Sequence, residues 1–433
     1  MFQKNLSWQM LGSVGQIGCS ALILVVLGRG LGVAEFGLFS IIMGIVIVGG
    51  SLFEPRMQDI VAKQFWTLSD SRILSPGQCR QIADLILVES IGKIVPFVGL
   101  ILFSSSLAHL LNLPTNATTP IGIAALGMFT SRLGMGVSLG LLRVSGRSDL
   151  CAYSQVGEAA VRLILLLCLV ATSTLNVTSA IIVQSLTATA GVGAQWLFVS
   201  RNVIKLNNIW SGVSDAKLTA RLRPVRRLLF SNLGLSWTDL MNKDLDVTLI
   251  SPFLAIELVG LYKMAKNVTL LIWRAVDPFF LAMMPELSRL TALGQLADVK
   301  KFVLKSSIWL CAVSMAVFGA TYTGVQIFGV NVFGNDFAQL SSLLPLMAIG
   351  MLGSAPLIWG HPLAVAIGRP DIVLVGSLAS AIFGVGSLLV LVPPFGVYGA
   401  AIGWSITFLM NFAIVAIWSI HLLQNQTERG VLS

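Results

Sequence analysis

A long apolar segment, residues 256–284, carries charged residues that share one face of a helix. They recur at steps of three, eight and three residues, and they are Lys263, Lys266, Arg274 and Asp277. This spacing forms a single helical stripe with a net positive charge. Because a charge at the centre of a bilayer costs about 2.5–3.5 kcal/mol by insertion scales, we expect the stripe to face a water-filled cavity or the other half of the protein. Buried ion pairs between helices are the alternative.

Other basic residues lie inside or at the ends of apolar segments. Arg132 is midway through residues 119–142, and Arg29 lies where the first apolar segment ends. Glu158 and Arg162 are four residues apart, so they share a helix face and either pair locally or serve a function. Arginine binds phosphate through a bidentate fork, and a cationic cavity suits an anionic substrate. The candidate residues for binding an anionic headgroup are Arg29, Arg132, Arg162, Lys266 and Arg274.

Acidic residues in the same segments are candidates for binding a coupling proton or sodium ion. These candidates are Asp246, Glu158 and Asp277. Two further acids precede a lysine by four residues, which predicts local ion pairs for Glu89–Lys93 and Asp239–Lys243. Glu54, before Pro55, is interpreted as a solvated helix end.

The composition determines which elements must position these charges. Of 433 residues, 55% are apolar and 11% are charged, whereas soluble domains are near 45–50% and 25%. At about 20 residues per membrane crossing, the apolar content predicts about twelve spans and excludes a water-soluble enzyme. The apolar runs are unbroken, unlike the alternating strands of an outer-membrane barrel. The sequence therefore predicts an all-α integral membrane protein.

The apolar runs predict two sets of six transmembrane helices. The first run is interpreted as a retained signal anchor, because further spans follow at once. The first set lies at residues 9–28, 36–53, 85–105, 119–142, 150–172 and 178–200. The second set lies at residues 228–250, 256–284, 306–329, 340–367, 371–392 and 397–420.

The basic residues predict the orientation. If both termini are cytoplasmic, 20 of the 28 Lys and Arg residues fall in cytoplasmic segments and Arg29 alone falls in an outer one. This asymmetry follows the positive-inside rule, which explains the net charge of +9 without nucleic-acid binding. The longest basic segment is a predicted cytoplasmic linker, residues 201–227. It separates an N-terminal lobe, residues 1–200, from a C-terminal lobe with a short tail, residues 228–433.

The two halves are related in sequence. Residues 36–39 (FGLF) match residues 259–262 (VGLY) at an offset of 223. Residues 146–150 (GRSDL) match residues 368–372 (GRPDI) at an offset of 222. Two matches at nearly one offset, in register with the helix count, indicate duplication. Paired repeats are typical of transporters that rock about a central site.

The sequence offers no set of residues for catalysis or metal binding. It has no Walker lysine motif, its five cysteines form no CxxC pair, and its three histidines are scattered. We therefore expect no enzyme activity, no cofactor and no metal site.

Four stretches together resemble a known family. They are LGRGLGVAEFGLFSI (27–41), GLLRVSGR (140–147), DVTLISPFLAIELVGLYKMA (246–265) and MMPELSRLTALGQ (283–295). As an ordered set they are similar to the polysaccharide transporters of the multidrug/oligosaccharidyl-lipid/polysaccharide exporter superfamily, the flippases of O-antigen type. The residues matched by motif are Arg29, Asp246, Gly260 and Tyr262. Ala34 stands near a position where the family often has a proline, which affects the turn rather than the chemistry.

The resemblance implies a fold and a function. The fold has twelve helices in two six-helix lobes around a central cavity, as in multidrug-and-toxin (MATE) transporters. The implied activity flips an undecaprenyl-pyrophosphate oligosaccharide for O-antigen, capsule or exopolysaccharide synthesis across the bacterial inner membrane, driven by a proton or sodium gradient. The implied partners are the lipid-linked oligosaccharide, membrane lipids and other glycan-assembly membrane proteins.

Two alternatives stay open at this point. A MATE-type antiporter of cationic drugs would favour an acidic cavity, whereas the charges deep in the predicted spans are mainly basic. These charges, at positions 132, 158, 162, 263, 266, 274 and 277, comprise five basic and two acidic residues. A membrane glycan polymerase or ligase handles the same lipid, but such enzymes commonly carry a large outer loop, and every predicted outer loop is short.

Overall fold

Helices form the fold in every part of the chain that the structure describes. This computed structural model describes residues 2–65, 76–203, 225–243, 245–274, 277–369 and 371–428. In the first half the α-helices are α1 (Phe2–Ser51), α2 (Met57–Gln64), α3 (Pro76–Leu102), α4 (Ser104–Leu110), α5 (Thr118–Arg132), α6 (Met135–Val144), α7 (Ser148–Ala171) and α8 (Val177–Asn202). In the second half they are α9 (Arg226–Lys243), α10 (Leu245–Ile250), α11 (Ile256–Arg274), α12 (Asp277–Ala292), α13 (Leu296–Phe333), α14 (Leu340–Ser354), α15 (Gly360–Ala366) and α16 (Asp371–Glu428).

The protein is a multi-pass membrane protein. Within the described residues, eight helical stretches are long and apolar enough to cross a membrane. Two of these stretches, 14–51 and 371–424, have 38 and 54 residues and contain an internal glycine break, which stretch 296–333, with 38 residues, lacks. A crossing takes about 20 residues. Each of the two broken stretches is therefore long enough to cross twice. The helices from α9 to α12 cover the two remaining predicted spans, so the architecture agrees with about twelve crossings.

Glycines divide the two longest helices where the sequence predicts loops. Gly32 interrupts α1 with φ 74° and ψ 172°, and Gly396 interrupts α16 with φ 58° and ψ −134°. Only glycine adopts such backbone angles readily. Each predicted pair of spans is thus observed as one long helix with a sharp break.

The chain divides into two compact units. Unit 1 contains residues 1–31 and 41–240, and unit 2 contains residues 32–40 and 241–433. The segment after the break at Gly32 therefore packs with unit 2, although the chain on both sides of it belongs to unit 1. The predicted linker falls largely on residues 204–224, which lie outside the described residues.

The core of unit 1 joins short and long helices. Fully buried side chains from α2, α3, α6 and α8 form one cluster around Ile60, Val61, Ile82, Leu141 and Val199. Their burial fixes α6 against its neighbours, and this matters because α6 begins beside the charged residues described below.

Unit 2 has its own core and an unusually close helix crossing. Leu287, Leu363 and Ala416 belong to a buried cluster that joins α12, α15 and α16. At the crossing, a Cβ on Gly260 of α11 would lie 3.0 Å from the backbone nitrogen of Gly37. The absence of side chains at both glycines lets the two backbones touch.

The two turns that match in sequence also match in structure. Gly146 and Gly368 have φ angles of 74° and 77°. In the first turn the Arg147 amide donates to Leu142, five residues back, at 3.0 Å, and in the second the Arg369 amide makes the equivalent bond at 2.9 Å. Each arginine also binds the aspartate two residues later. The shared geometry supports the duplication predicted from the sequence.

One predicted continuous span is broken within the described residues. The span predicted at 119–142 is divided into α5 and α6 at Leu133 and Gly134. The span predicted at 256–284 is described as α11 and α12, and residues 275–276 between them lie outside the described residues. Apolar content marks where a segment lies in the membrane, but it carries no information about a backbone break within it.

Candidate functional site

The break between α5 and α6 exposes the beginning of α6 inside unit 1. Leu133 is extended (ψ 101°) and Gly134 is left-handed (φ 64°), so the helix ends after Arg132 and starts again at Met135. The Glu89 carboxylate of α3 accepts hydrogen bonds from the Gly136 amide at 2.8 Å and the Val137 amide at 3.3 Å. An acid at a helix N-terminus satisfies amides that lack helical partners. Broken helices of this kind are characteristic of binding sites in membrane transporters.

Arg132, the last residue of α5, is held by an acid far away in sequence. Its Nη1 lies 2.7 Å from Oε1 of Glu54, and Nζ of Lys93 lies 3.2 Å from Oε2 of the same carboxylate. Lys93 also donates to the Gly50 carbonyl at 2.8 Å. Glu54 follows the first membrane-spanning stretch. Burial disfavours its charged form, but the charges of Arg132 and Lys93 outweigh burial and hold the pKa of Glu54 below its ordinary value.

A second ion pair lies along α7. Nη2 of Arg162 donates to Oε1 of Glu158, one helical turn earlier, as the four-residue spacing predicts. Nε of Arg162 donates to the Thr187 hydroxyl of α8 at 3.1 Å. Gly191 of α8 permits this arrangement, because a Cβ there would lie 2.7 Å from the Glu158 carboxylate. Two bonds thus fix the Arg162 side chain in orientation.

Arg132, Glu158 and Arg162 meet at a cavity within unit 1. The cavity has a volume of about 240 Å³ and is bordered by α1, α5, α6, α7 and α8. Apolar side chains form much of its wall. Its polar residues are Ser131, Arg132, Glu158, Arg162, Gln184 and Ser185.

The charges of the wall favour an anion. Among the described residues, two guanidinium groups and one carboxylate line the cavity, which gives this part of the wall a net positive charge. The side chains of Arg132 and Arg162 are 33% and 17% exposed. Arginine has five N–H donors, and the bonds described above use only one in Arg132 and two in Arg162. Each arginine can therefore bind a further anion, and phosphate fits the guanidinium fork.

The structure brings some of the predicted residues together and places others elsewhere. Arg132, Glu158 and Arg162 share the cavity. Arg29 of α1 and Arg274, the last residue of α11, are exposed, and neither lines this cavity. The side chain of Asp277 lies outside the described residues.

Asp246 and Lys266 form a separate buried cluster in unit 2. Nζ of Lys266 lies 2.8 and 2.7 Å from the two carboxylate oxygens of Asp246, and the Tyr262 hydroxyl donates to the same carboxylate. The side chains of Lys266 and Asp246 are 1% and 8% exposed. This is the interhelical ion pair that the sequence left open as the alternative to a cavity-facing stripe.

Two sequence interpretations of the acids are wrong. Lys93 binds Glu54 rather than the predicted Glu89, whose carboxylate accepts backbone amides of α6 instead. Glu54 is a bridge between two cations rather than a solvated helix end. The predicted pair Asp239–Lys243 has side chains outside the described residues.

Sequence reasoning therefore missed Glu54 and Lys93 as neighbours of the site. Glu54 lies 39 residues from Lys93 and 78 residues from Arg132. Helical spacing reveals only partners within one helix. The one available signal was the presence of a lysine and an arginine within apolar segments, each of which needs a counter-charge.

Comparison with known proteins identifies related sequences. Residues 2–291 match the family model described as polysaccharide biosynthesis protein. A stretch of 175 residues is 26% identical to the "Probable low-salt glycan biosynthesis flippase Agl15" of Haloferax volcanii. That match covers 40% of this chain and 36% of the flippase.

Solved structures share the fold over most of its length. An inward-facing multidrug resistance MATE family transporter of the MOP superfamily aligns with a TM-score of 0.73 over 98% of both chains, at 15% identity. The lipid II flippase MurJ, in an inward closed conformation, aligns with a TM-score of 0.69 over 95% of this chain and 87% of its own, at 11% identity. At these identities the similarity shows a MATE-like fold.

Proposed function

Because this chain belongs to the polysaccharide biosynthesis protein family, we propose that it translocates a lipid-linked glycan across its membrane. The observation that carries the proposal is the cavity of unit 1, where Arg132 and Arg162 lie beside Glu158. The substrate's phosphate would bind the two arginines while its sugars occupy aqueous space.

Glu158 gives this cavity a means of coupling binding to an ion. The Glu158 carboxylate and a phosphate bound to the remaining donors of Arg162 would be two anions on one guanidinium group, and they would repel each other. A proton or a sodium ion on Glu158 would remove that repulsion, so the ion and the substrate would bind together. Asp246 is less suited to this role, because Lys266 already neutralises it. We therefore propose coupling to a proton or sodium gradient through Glu158.

We also propose the orientation of the protein, its membrane, its glycan and its partners. The predicted excess of basic residues on one side supports cytoplasmic N- and C-termini, and the resemblance to O-antigen flippases supports the bacterial inner membrane. The glycan would be a precursor of a surface polysaccharide, and glycan-assembly membrane proteins would supply and consume it. The protein would act as a transporter without catalysing a reaction on its cargo.

Translocation in reconstituted vesicles tests the function. Labelled lipid-linked glycan would be followed from one leaflet to the other in vesicles containing the wild type, Arg162→Gln or Arg143→Gln. The exposed Arg143 binds Gln58 at 3.0 Å and does not line the cavity, so it is the matched control. We expect Arg162→Gln to abolish translocation and Arg143→Gln to preserve it.

A second variant separates function from folding. Arg162→Gln leaves Glu158 as an unpaired acid, whereas the double variant Glu158→Gln/Arg162→Gln leaves no charge uncompensated. We expect the double variant to fold normally and still not translocate. Normal translocation by this folded double variant would remove Arg162 from the site, and no translocation by the wild type would refute the proposed function.

A further inference from the structure

A groove runs between α7 and α8 in unit 1. It has a volume of about 330 Å³, and most of its wall is apolar. Its apolar side chains include Val161, Leu165, Leu186, Ala190 and Phe198. Val161 and Leu186 are exposed on the surface of unit 1. The groove can therefore admit a hydrocarbon chain.

The groove meets the cationic cavity at a polar boundary formed by Glu158, Arg162 and Thr187, which we call the seam. Glu158 lines both spaces, while Arg162 lines the cavity and Thr187 lines the groove. The bond from Arg162 to Thr187, 3.1 Å long, crosses from one space to the other. The partition between the apolar groove and the phosphate-binding cavity is thus only about one side chain thick.

The seam lies far from the helix ends. Glu158 is near the middle of α7, which runs from Ser148 to Ala171. At the helical rise of about 1.5 Å per residue, Glu158 lies at least about 15 Å from either end of the helix. The headgroup of an ordinary phospholipid stays at the membrane interface. A molecule with its apolar part in this groove and its polar part at Glu158 must instead have its headgroup inside the protein.

We propose that the groove between α7 and α8 holds the hydrocarbon tail of the lipid-linked glycan while its phosphate binds Arg132 and Arg162. The inference rests on the proposed function and assigns a second part of the same substrate to a second site. A phosphate bound to the remaining donors of Arg162 lies at the seam, so headgroup and tail occupy adjoining spaces.

A pair of glycine variants tests the groove. Gly157 of α7 lines it, and a Cβ placed there would meet no heavy atom within 4 Å, so Gly157→Leu fills the groove without a clash. Gly193 of α8 is also exposed, has the same open surroundings and lines neither the groove nor the cavity, so Gly193→Leu is the matched control. Both changes replace a helical glycine with leucine, so they share any gain in helix propensity.

Translocation of two substrates gives the readout. One carries the glycan on its full-length lipid, and the other carries the same glycan and phosphates on a methyl ester without an isoprene tail. We expect Gly157→Leu to slow the full-length substrate about tenfold, which corresponds to two lost methylene contacts, and to leave the tailless one unchanged. Gly193→Leu should match the wild type with both. Equal slowing of both substrates by Gly157→Leu, or no slowing of either, would overturn the proposal.

Photolabelling of the wild-type protein tests the occupant without a mutation. A lipid-linked glycan with a diazirine in its tail should label α7 and α8 within the groove, and excess phosphatidylglycerol should not displace it. Equal labelling by a diazirine-bearing phospholipid would show an ordinary membrane lipid there and refute the assignment. Translocation by the wild type combined with a failed groove test would leave the proposed function intact and refute the groove alone.

Discussion

The buried Asp246–Lys266 pair allows a quantitative test of its structural role. Replacing Asp246 with Asn removes the carboxylate bonded to the Lys266 ammonium at 2.7–2.8 Å, and leaves that charge in a site with 1% side-chain exposure. Replacing Lys266 with Met leaves the buried Asp246 carboxylate without its counter-charge. The double replacement removes both charges and keeps the volume similar.

The expected energies follow from burial. Removing one partner of a buried pair costs about 3–5 kcal/mol, whereas replacing both partners with uncharged groups is often neutral or stabilising. Each single variant should therefore be less stable than the wild type by about 3–5 kcal/mol, and the double variant should recover most of that loss. For a unit of this size the single variants should melt lower by on the order of 10 °C.

Intrinsic tryptophan fluorescence of the purified protein can follow the melting of all four forms. The coupling energy from the double-mutant cycle reports the pair directly. Additive destabilisation, with the double variant less stable than either single variant, would refute a structural ion pair. A double variant that is stable yet inactive would show that the cluster also acts in transport.

Three further predictions concern other parts of the chain. Glu54→Gln removes the acid between Arg132 and Lys93 and should lower the melting temperature at pH 7. The two cations hold the pKa of Glu54 below its ordinary value near 4.3. The stabilising effect of Glu54 is therefore complete above that ordinary pKa and is lost as the pH falls through the lowered pKa of the folded protein. A pH series of melting curves for the variant and the wild type checks this, and a constant difference down to pH 3 would contradict it. Gly260→Val inserts a side chain where two backbones touch, so size-exclusion chromatography should show less folded protein, and a wild-type yield would count against that packing. Asp371→Asn breaks an exposed ion pair, so the melting temperature should change by less than about 2 °C, and a larger fall would show that this turn contributes more than its surface pair.

Much of the fold could be predicted from the sequence because membrane crossings follow from apolar run length. The predicted span 178–200 agrees with α8 (Val177–Asn202), whose beginning is fixed by the capping residue Asn176. The break between α5 and α6 could not be predicted, since the sequence around Gly134 does not distinguish it from glycines that lie within continuous helices. Gly134 has a φ of 64°, and the amides after it bind Glu89, which is 47 residues away from Gly136 in sequence.

The candidate site was only partly predictable for a similar reason. Glu158 and Arg162 are one turn apart on α7, so their pairing follows from helical geometry alone. The contacts of Arg132 with Glu54, and of Lys266 with Asp246, join residues 78 and 20 positions apart in sequence. Charge and depth showed that these residues needed partners, but only the fold determines which partners they have.

Binding of labelled lipid-linked glycan to the purified protein tests most directly whether the cavity of unit 1 holds the substrate. We expect saturable binding by the wild type and by Arg143→Gln, and at least about a hundredfold weaker binding by Arg132→Gln/Arg162→Gln, since each lost charged hydrogen bond costs about 1.5–3 kcal/mol. A folded double variant with wild-type affinity would contradict the claim that this cavity holds the phosphate of the substrate.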